Sequence, residues 1–272
     1  MPFVVKAAEE TVSTCQNLFE KRRWNCSSIL TAPNYTPDLT TGTREQAFVY
    51  ALSSAAIAYT MSKACASGSL FNCSCSGHPK DPPNGNFKWG GCGDNIRWGI
   101  KFGKHFTDSA EKGRQQKKLR NKNKRGSIGR RGLEQSVDVI VPSMGSTNKM
   151  ESKSFAHLAA VNLQNNRAGR KIIEVSVKIQ CKCHGVSGSC SIKICWKALP
   201  KFLEIGERLQ RKYGSSFEVV PRKFGPGRKL VSVSSGSAFY NGDDLVYTTK
   251  SPDYCLRDYK TGSLGTRGRQ VP

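Results

Sequence analysis

At 272 residues the chain is long enough to bury the core of one large domain or two ordinary ones, so size alone does not demand a cross-linked miniature fold. Its formal net charge of +23 requires polyanions nearby: nucleic acid inside a cell, or sulfated glycans and anionic lipid heads outside one. A bilayer span is excluded, because the best apolar stretch, residues 47–61, is too short and is rich in Ala and Ser.

Eleven cysteines stand in this chain, and a reducing cytosol would leave them as idle thiols or metal ligands. Asn-X-Ser/Thr occurs at Asn25, Asn34 and Asn72, which also favours an extracellular or luminal home. The opening MPFVVKAAEETVSTC offers only Phe3, Val4 and Val5 before charges begin, short of the apolar region of a signal peptide. The expectation is a secreted chain whose signal peptide is missing here.

In chain order, Val4, Val5, Ala8, Val12, Cys15 and Phe19 recur at helical spacing and predict an amphipathic first helix, followed by KRRWNCSS. Thr43, with Gln46 three residues on, forms a capping box that opens a second helix running to about Cys65. Its core face is Phe48, Leu52, Ala55, Ala56 and Tyr59. From Cys65 to Cys92 the text turns to Gly, Pro, Asn and Ser around four cysteines, a loop region that needs cross-links to hold a shape. Between Lys112 and Arg131 stand ten Lys or Arg and no acid, which predicts a self-repelling, disordered stretch. A third helix is predicted over about 154–168. KIIEVSVKIQ then alternates Ile173, Val175, Val177 and Ile179 like a strand, and SIKICW returns with Ile192, Ile194 and Trp196. Residues 172–196 therefore read as a hairpin tipped by CHGVSGSC. A fourth helix carries Phe202, Ile205, Leu209 and Tyr213 on one stripe and ends near Gly214. The remainder reads as short strands and turns. Trp24, Trp89, Trp98 and Trp196 are assigned to the core by default.

The densest chemistry lies at Cys181, Cys183, Cys190 and Cys195, four cysteines within fifteen residues around Lys182, His184, Gly185, Val186, Ser187 and Gly188. If Cys183 pairs with Cys190, the tip closes into a small ring, worth about 2.5 kcal/mol in the chain-entropy account, and a bridge from Cys181 to Cys195 would staple the strands beneath. Such a tip suits a protein that must hold one side chain away from its body. Read alone, Ser187 is an ordinary turn serine. His184 beside Ser187 invites a hydrolase reading, but GVSGS is not G-x-S-x-G and no acidic partner is placed, so no enzyme is expected. The rival chemistry is zinc, for which the four cysteines and His184 hold enough ligands, with the basic run then gripping nucleic acid. Against it, the C-x-C gaps lack the usual zinc-knuckle spacing.

CKCHGVSGSC followed by SIKICW resembles the signature of the Wnt family of secreted, lipid-modified signalling ligands. The similarity extends over ETVSTCQNLFEKRRWNCSS, GTREQAFVYALSSAAIAYTMSKAC, KWGGCGDNI, VNLQNNRAGRK and SPDYC, and the wording is closest to the family's eleventh vertebrate subgroup. The resemblance implies an α+β fold: a disulfide-rich, α-helical N-terminal domain with a long stapled β-hairpin, the C-terminal cysteine-rich domain being absent. Residues 1–111 would form its first helical part and 150–250 its remainder with the hairpin. Residues 251–272 would begin the truncated C-terminal domain. Residues 112–149 form a basic insertion outside the family pattern, with three readings open: heparan sulfate binding, cleavage near Lys124 and Arg125, or a retained intron.

The resemblance further implies that Ser187 is esterified with palmitoleate by the acyltransferase Porcupine, and that the acyl chain enters a groove in the cysteine-rich domain of Frizzled. Lys182, His184, Gly185, Val186 and Gly188 would contact that receptor. Burying roughly a dozen methylenes at ~0.8 kcal/mol each supplies on the order of 10 kcal/mol, which a bare Gly-Ser tip does not offer. Wntless during biogenesis and co-receptors complete the implied partners, heparan sulfate entering only as one of the three readings of the basic insertion, with no nucleic acid, no metal and no cofactor beyond the covalent lipid. The family's bridges carry over as Cys15 to Cys26, Cys65 to Cys73, Cys75 to Cys92, Cys181 to Cys195 and Cys183 to Cys190, leaving Cys255 unpaired. Asn25, Asn34 and Asn72 are the glycosylation candidates: at Asn25 an early bridge from Cys26 to Cys15 would compete, Asn34 is loop-like, and Asn72 beside Cys73 is the weakest of the three.

Overall fold

The computed structural model describes residues 2–80, 83, 85–123, 151–224, 227–233 and 240–269. The first helix, α1, spans Pro2–Phe19. Its buried face is Ala7, Thr11, Thr14, Cys15 and Phe19, while Val5 and Ala8 of the expected stripe are exposed. The buried stripe is rotated from the expected one because threonines can join it: Thr11 donates its hydroxyl to Ala7 O at 2.7 Å and so enters the core without an unsatisfied group.

The axis of the body is α2, Arg44–Ala66. Thr43 caps it, accepting from Gln46 N at 3.2 Å, and the Gln46 side chain accepts from Gly42 N at 2.7 Å. Seventeen of its 23 residues are buried, not one face, and Tyr59 is the member of the expected face left half-buried. Its Ala and Ser content lets α1, α3, α4 and α5 pack around it.

The strand β1, Lys88–Trp89, precedes α3, Ile96–Asn123, a helix the sequence reading did not anticipate. Asn95 caps α3 by accepting from Trp98 N at 3.1 Å, and Trp98, Phe102 and Phe106 stack at four-residue intervals along it. The backbone stays helical past residue 112, where disorder was expected, because the stretch after Gly113 is rich in the good helix formers Gln, Lys, Arg and Leu. The rest of the basic insertion, residues 124–149 with Lys124 and Arg125, lies outside the described residues.

The next helix, α4, spans Glu151–Val175, so the strand expected from residue 172 begins later. Ile172 and Ile173 are core residues of a helix, while Val175 and Ile179 are exposed. The apparent alternation is thus not one sheet face. What extends the helix is its contact with α2: a Cβ at Gly169 would overlap Ala51 O, so only glycine permits this approach. The hairpin follows as β2, Lys178–Cys183, and β3, Lys193–Ala198. Then α5, Phe202–Gly214, buries Phe202, Ile205, Gly206 and Leu209 as its stripe implied, leaving Tyr213 half-buried.

Short strands complete the chain: β4 (Phe217–Phe224), β5 (Gly227–Ser232), β6 (Val246–Tyr247), β7 (Arg257–Asp258) and β8 (Ser263–Leu264). β4 pairs antiparallel with β5 and parallel with β6, and β7 pairs with β8. Val161 of α4 packs with Val219 and Val246 in a small second core.

The sequence VNLQNNRAGRK is explained by a buried polar seam. Asn165 donates to Val246 O and accepts from Val246 N, both at 2.9 Å, as a neighbouring strand would. Arg170 grips Asp108 through two bonds of 3.0 Å and also donates to Ser54 Oγ and Thr107 Oγ1, joining α2, α3 and α4. Among the described residues no helix is long and apolar enough to cross a membrane.

Candidate functional site

The hairpin leaves the helical body at Ser176 and projects away from it. Residues 178–182 are exposed on one strand, whereas Cys195 and Ala198 on the other are buried against the body. Register sets the staples. Cys181 stands directly across from Cys195, and the two are joined. Beyond the last pair, Cys183 opposite Lys193, the bridge from Cys183 to Cys190 closes the tip.

Backbone hydrogen bonds shape the ring. His184 N donates to Ile192 O at 2.7 Å, Gly185 N to Ser189 O at 2.8 Å, and Gly188 N to Gly185 O at 3.0 Å. Ser187 adopts the left-handed conformation (φ 55, ψ 28), which costs a non-glycine residue about 1 kcal/mol, and Gly188 follows at φ 78. The turn thereby places Ser187 at its apex, exposed, with no hydrogen bond to its hydroxyl among the described residues. A Cβ at Gly185 would overlap the hydroxyls of Ser189 and Ser191, so the ring closes tightly under the apex. Val186 is 89% exposed beside it. Lys182, His184 and Gly188 are exposed around the same tip, and Gly185 is half-buried.

The base is anchored by residues the sequence reading did not single out. β1 pairs in parallel with β3, and a Cβ at Gly90 would lie 2.6 Å from Ile194 Cγ2, so the glycines of KWGGCG let this strand lie flat on the hairpin. Asp94, buried, accepts from Leu199 N at 2.7 Å and pairs with Lys63 of α2 at 2.7 Å, while Lys63 also donates to Leu199 O at 3.1 Å. A carboxylate directly after a glycine cluster was the available signal, but nothing in its spacing says which strand it clamps. Lys178 pairs with Glu204 at the start of α5, and that hydrogen bond holds the Glu204 carboxyl below its ordinary value.

The remaining cysteines pair as Cys15 with Cys26, Cys65 with Cys73, and Cys75 with Cys92, and Cys255 is a half-buried free thiol. The four hairpin cysteines are disulfide-bonded, so the thiolates a zinc site needs are not present. Asn34 and Asn72 are exposed on loops far from the tip in sequence, while Asn25 is half-buried with its side-chain oxygen accepting from Ser27 N at 3.3 Å. Trp24 is buried, its indole donating to Ser28 Oγ and Asp38 Oδ2, whereas Trp89, Trp98 and Trp196 are half-buried.

Comparison with known proteins places this architecture. The chain is 41% identical over 271 residues to protein Wnt-11b-2 of Xenopus tropicalis, and 38% identical over 270 residues to protein Wnt-11 of Gallus gallus. Each alignment covers 99% of this chain and 66% of the relative, so the chain spans just under two thirds of their length. A chain in the structure of human WLS in complex with WNT8A matches with a TM-score of 0.58 and 30% identity, over 97% of this chain and 72% of that one. The Drosophila WntD N-terminal domain and linker shares the fold, with a TM-score of 0.52 at 20% identity, over 93% of this chain and 97% of that one. The model described as the wnt family matches residues 1–153 and 144–271, together nearly the whole chain, and with the doubly stapled hairpin and three further disulfides among the described residues this shows that the chain belongs to the Wnt family.

Proposed function

We propose that this chain acts as a secreted Wnt-type signalling ligand, binding the cysteine-rich domain of Frizzled through palmitoleate carried on Ser187. The observation that carries the reading is the tip itself: Ser187 is exposed at the apex of a disulfide-closed ring, in the left-handed backbone conformation. The ring offers Val186 as its only large apolar side chain next to that serine, too little area for tight binding without a lipid. Esterification would supply the missing apolar surface, and the staples would present it at low entropic cost.

The remaining partners follow from the same reading. Porcupine would acylate Ser187, and Lys182, His184, Gly185, Val186 and Gly188 would form the receptor-contacting rim. Wntless would shield the acyl chain in transit, a proposal supported by the similarity to a chain in the human WLS–WNT8A complex. Co-receptors would bind elsewhere on the ligand, and heparan sulfate would meet its positive charge. The signalling supported is developmental.

The test is mass spectrometry of peptides spanning residues 171–201, after expression with an added signal peptide in acyltransferase-competent cells. A palmitoleoyl mass on Ser187 with both hairpin bridges intact is the expected result. An exported, bridged and unacylated Ser187 would overturn the proposal.

A further inference from the structure

The hairpin carries more than its apex. Between Val175 and Leu203 the chain has Lys178, Lys182, Lys193, Lys197 and Lys201 and no acidic residue. Lys178 is engaged by Glu204, and Lys197 lies 6.0 Å from the Trp89 ring centroid. Lys182 and Lys193 are exposed, and no carboxylate pairs with either among the described residues. Register puts them on opposite faces: Lys182 shares a face with Ile194, and Lys193 shares the other with Cys183. Beyond them, toward the tip, stand Val186 and Ile192, 89% and 54% exposed.

We propose that the tip docks end-on to an anionic lipid bilayer, with Val186 and Ile192 entering the headgroup layer and Lys182 and Lys193 meeting lipid phosphates and carboxylates. Three features favour this occupant. A cation on each face suits a hairpin that enters a plane end-on, whereas a glycan laid along one side of it meets one face. Exposed apolar side chains ahead of the lysines match a surface whose charge lies outside an apolar interior. A sulfated glycan would satisfy the lysines and leave Val186 and Ile192 in water.

This deepens the proposed function at the same site and rests on it in one respect: a single acyl chain holds a bilayer only marginally, and a polybasic patch is the second signal that would retain the ligand. The docking of the tip itself needs no acyl group. The experiment therefore uses the exported Ser187→Ala chain, with disulfide mapping to confirm its fold, in flotation with vesicles of phosphatidylcholine alone or mixed with a sialylated, anionic glycolipid, whose carboxylates lie on the membrane face a secreted ligand meets.

The expected result is a preference for the mixed vesicles that drops about thirtyfold in K182Q/K193Q, from about fivefold for each charge at an anionic surface. K101Q/K104Q, which removes two exposed charges from α3, leaves the preference unchanged. In Val186→Trp the added emission shifts to the blue on mixed vesicles, measured against the parent's four tryptophans. Equal losses in the two double variants would assign the preference to bulk charge and overturn the proposal. So would an unshifted Val186→Trp emission on bound vesicles. Loss of heparin binding in K182Q/K193Q with vesicle preference intact would give the lysines to a glycan instead. Failure of acylation appears only in the mass of the wild-type peptide and leaves these readouts untouched.

Discussion

Ser187 is useful because of where its backbone sits, and the residues around it are chosen by space. Gly185 has an ordinary φ of −72 but no room for a side chain, since the hydroxyls of Ser189 and Ser191 occupy it. Gly188 is the reverse case, with φ 78 and nothing within 4 Å of a Cβ. Gly185→Ala should therefore push the ring open and sharply lower acylation at Ser187, whereas Gly188→Ala should cost about 1 kcal/mol of backbone strain and leave much of the acylation. Quantifying acylated against bare peptide in the two variants checks this, and equal acylation would show that the enzyme does not read ring shape. The motif CHGVSGSC was legible as a stapled tip from its cysteines. The distinct duties of its two glycines were not, because one depends on φ and the other on neighbours brought in by hydrogen bonds.

Elements meet here through small residues and buried polar pairs rather than through large apolar faces alone. Gly169 is where α4 touches the backbone of α2, so Gly169→Ala should destabilise by about 3 kcal/mol. Gly113→Ala in α3, with open space around it, should stabilise by roughly 0.5–1 kcal/mol. Urea unfolding midpoints separate the two. Asp94→Ala would leave Lys63 without its carboxylate and Leu199 N without its acceptor, at about 3 kcal/mol. Hydrogen exchange at Leu199 should rise in that variant, and an unchanged rate would mean the hairpin base is held by its strand pairing alone. The strand expected from residue 172 and the missed α3 have one cause. Local alternation at Ile173 and Val175, and the lack of a long apolar run after Gly103, both describe the chain in isolation, while burial against α2 determines the element that forms.

Across the whole molecule, burial also sets a pH limit. Desolvation pushes the Tyr59 hydroxyl up to about 12, and pushes Tyr213 and Tyr254 up further, with the Glu45 charge adding to both. Groups whose folded pKa is raised stabilise fully below their unfolded value and lose that contribution as pH climbs, so stability should fall from about pH 10 upward and continue falling through about pH 12. Tyr59→Phe should make that decline shallower, read from denaturant midpoints across the alkaline range. The sequence by itself determined the cysteine-rich hairpin with Ser187 and the positions of α1, α2 and α5, because capping, period and cysteine spacing are properties of neighbours along the chain, while the fold class followed from the resemblance of its motifs to the Wnt family. Only the tertiary structure decided that α2 is surrounded, that α4 runs to Val175, that Asn165 serves as a surrogate strand and that Asp94 clamps the hairpin. Each of those depends on groups brought together from distant parts of the chain, and no local pattern carries the identity of a partner that only folding supplies.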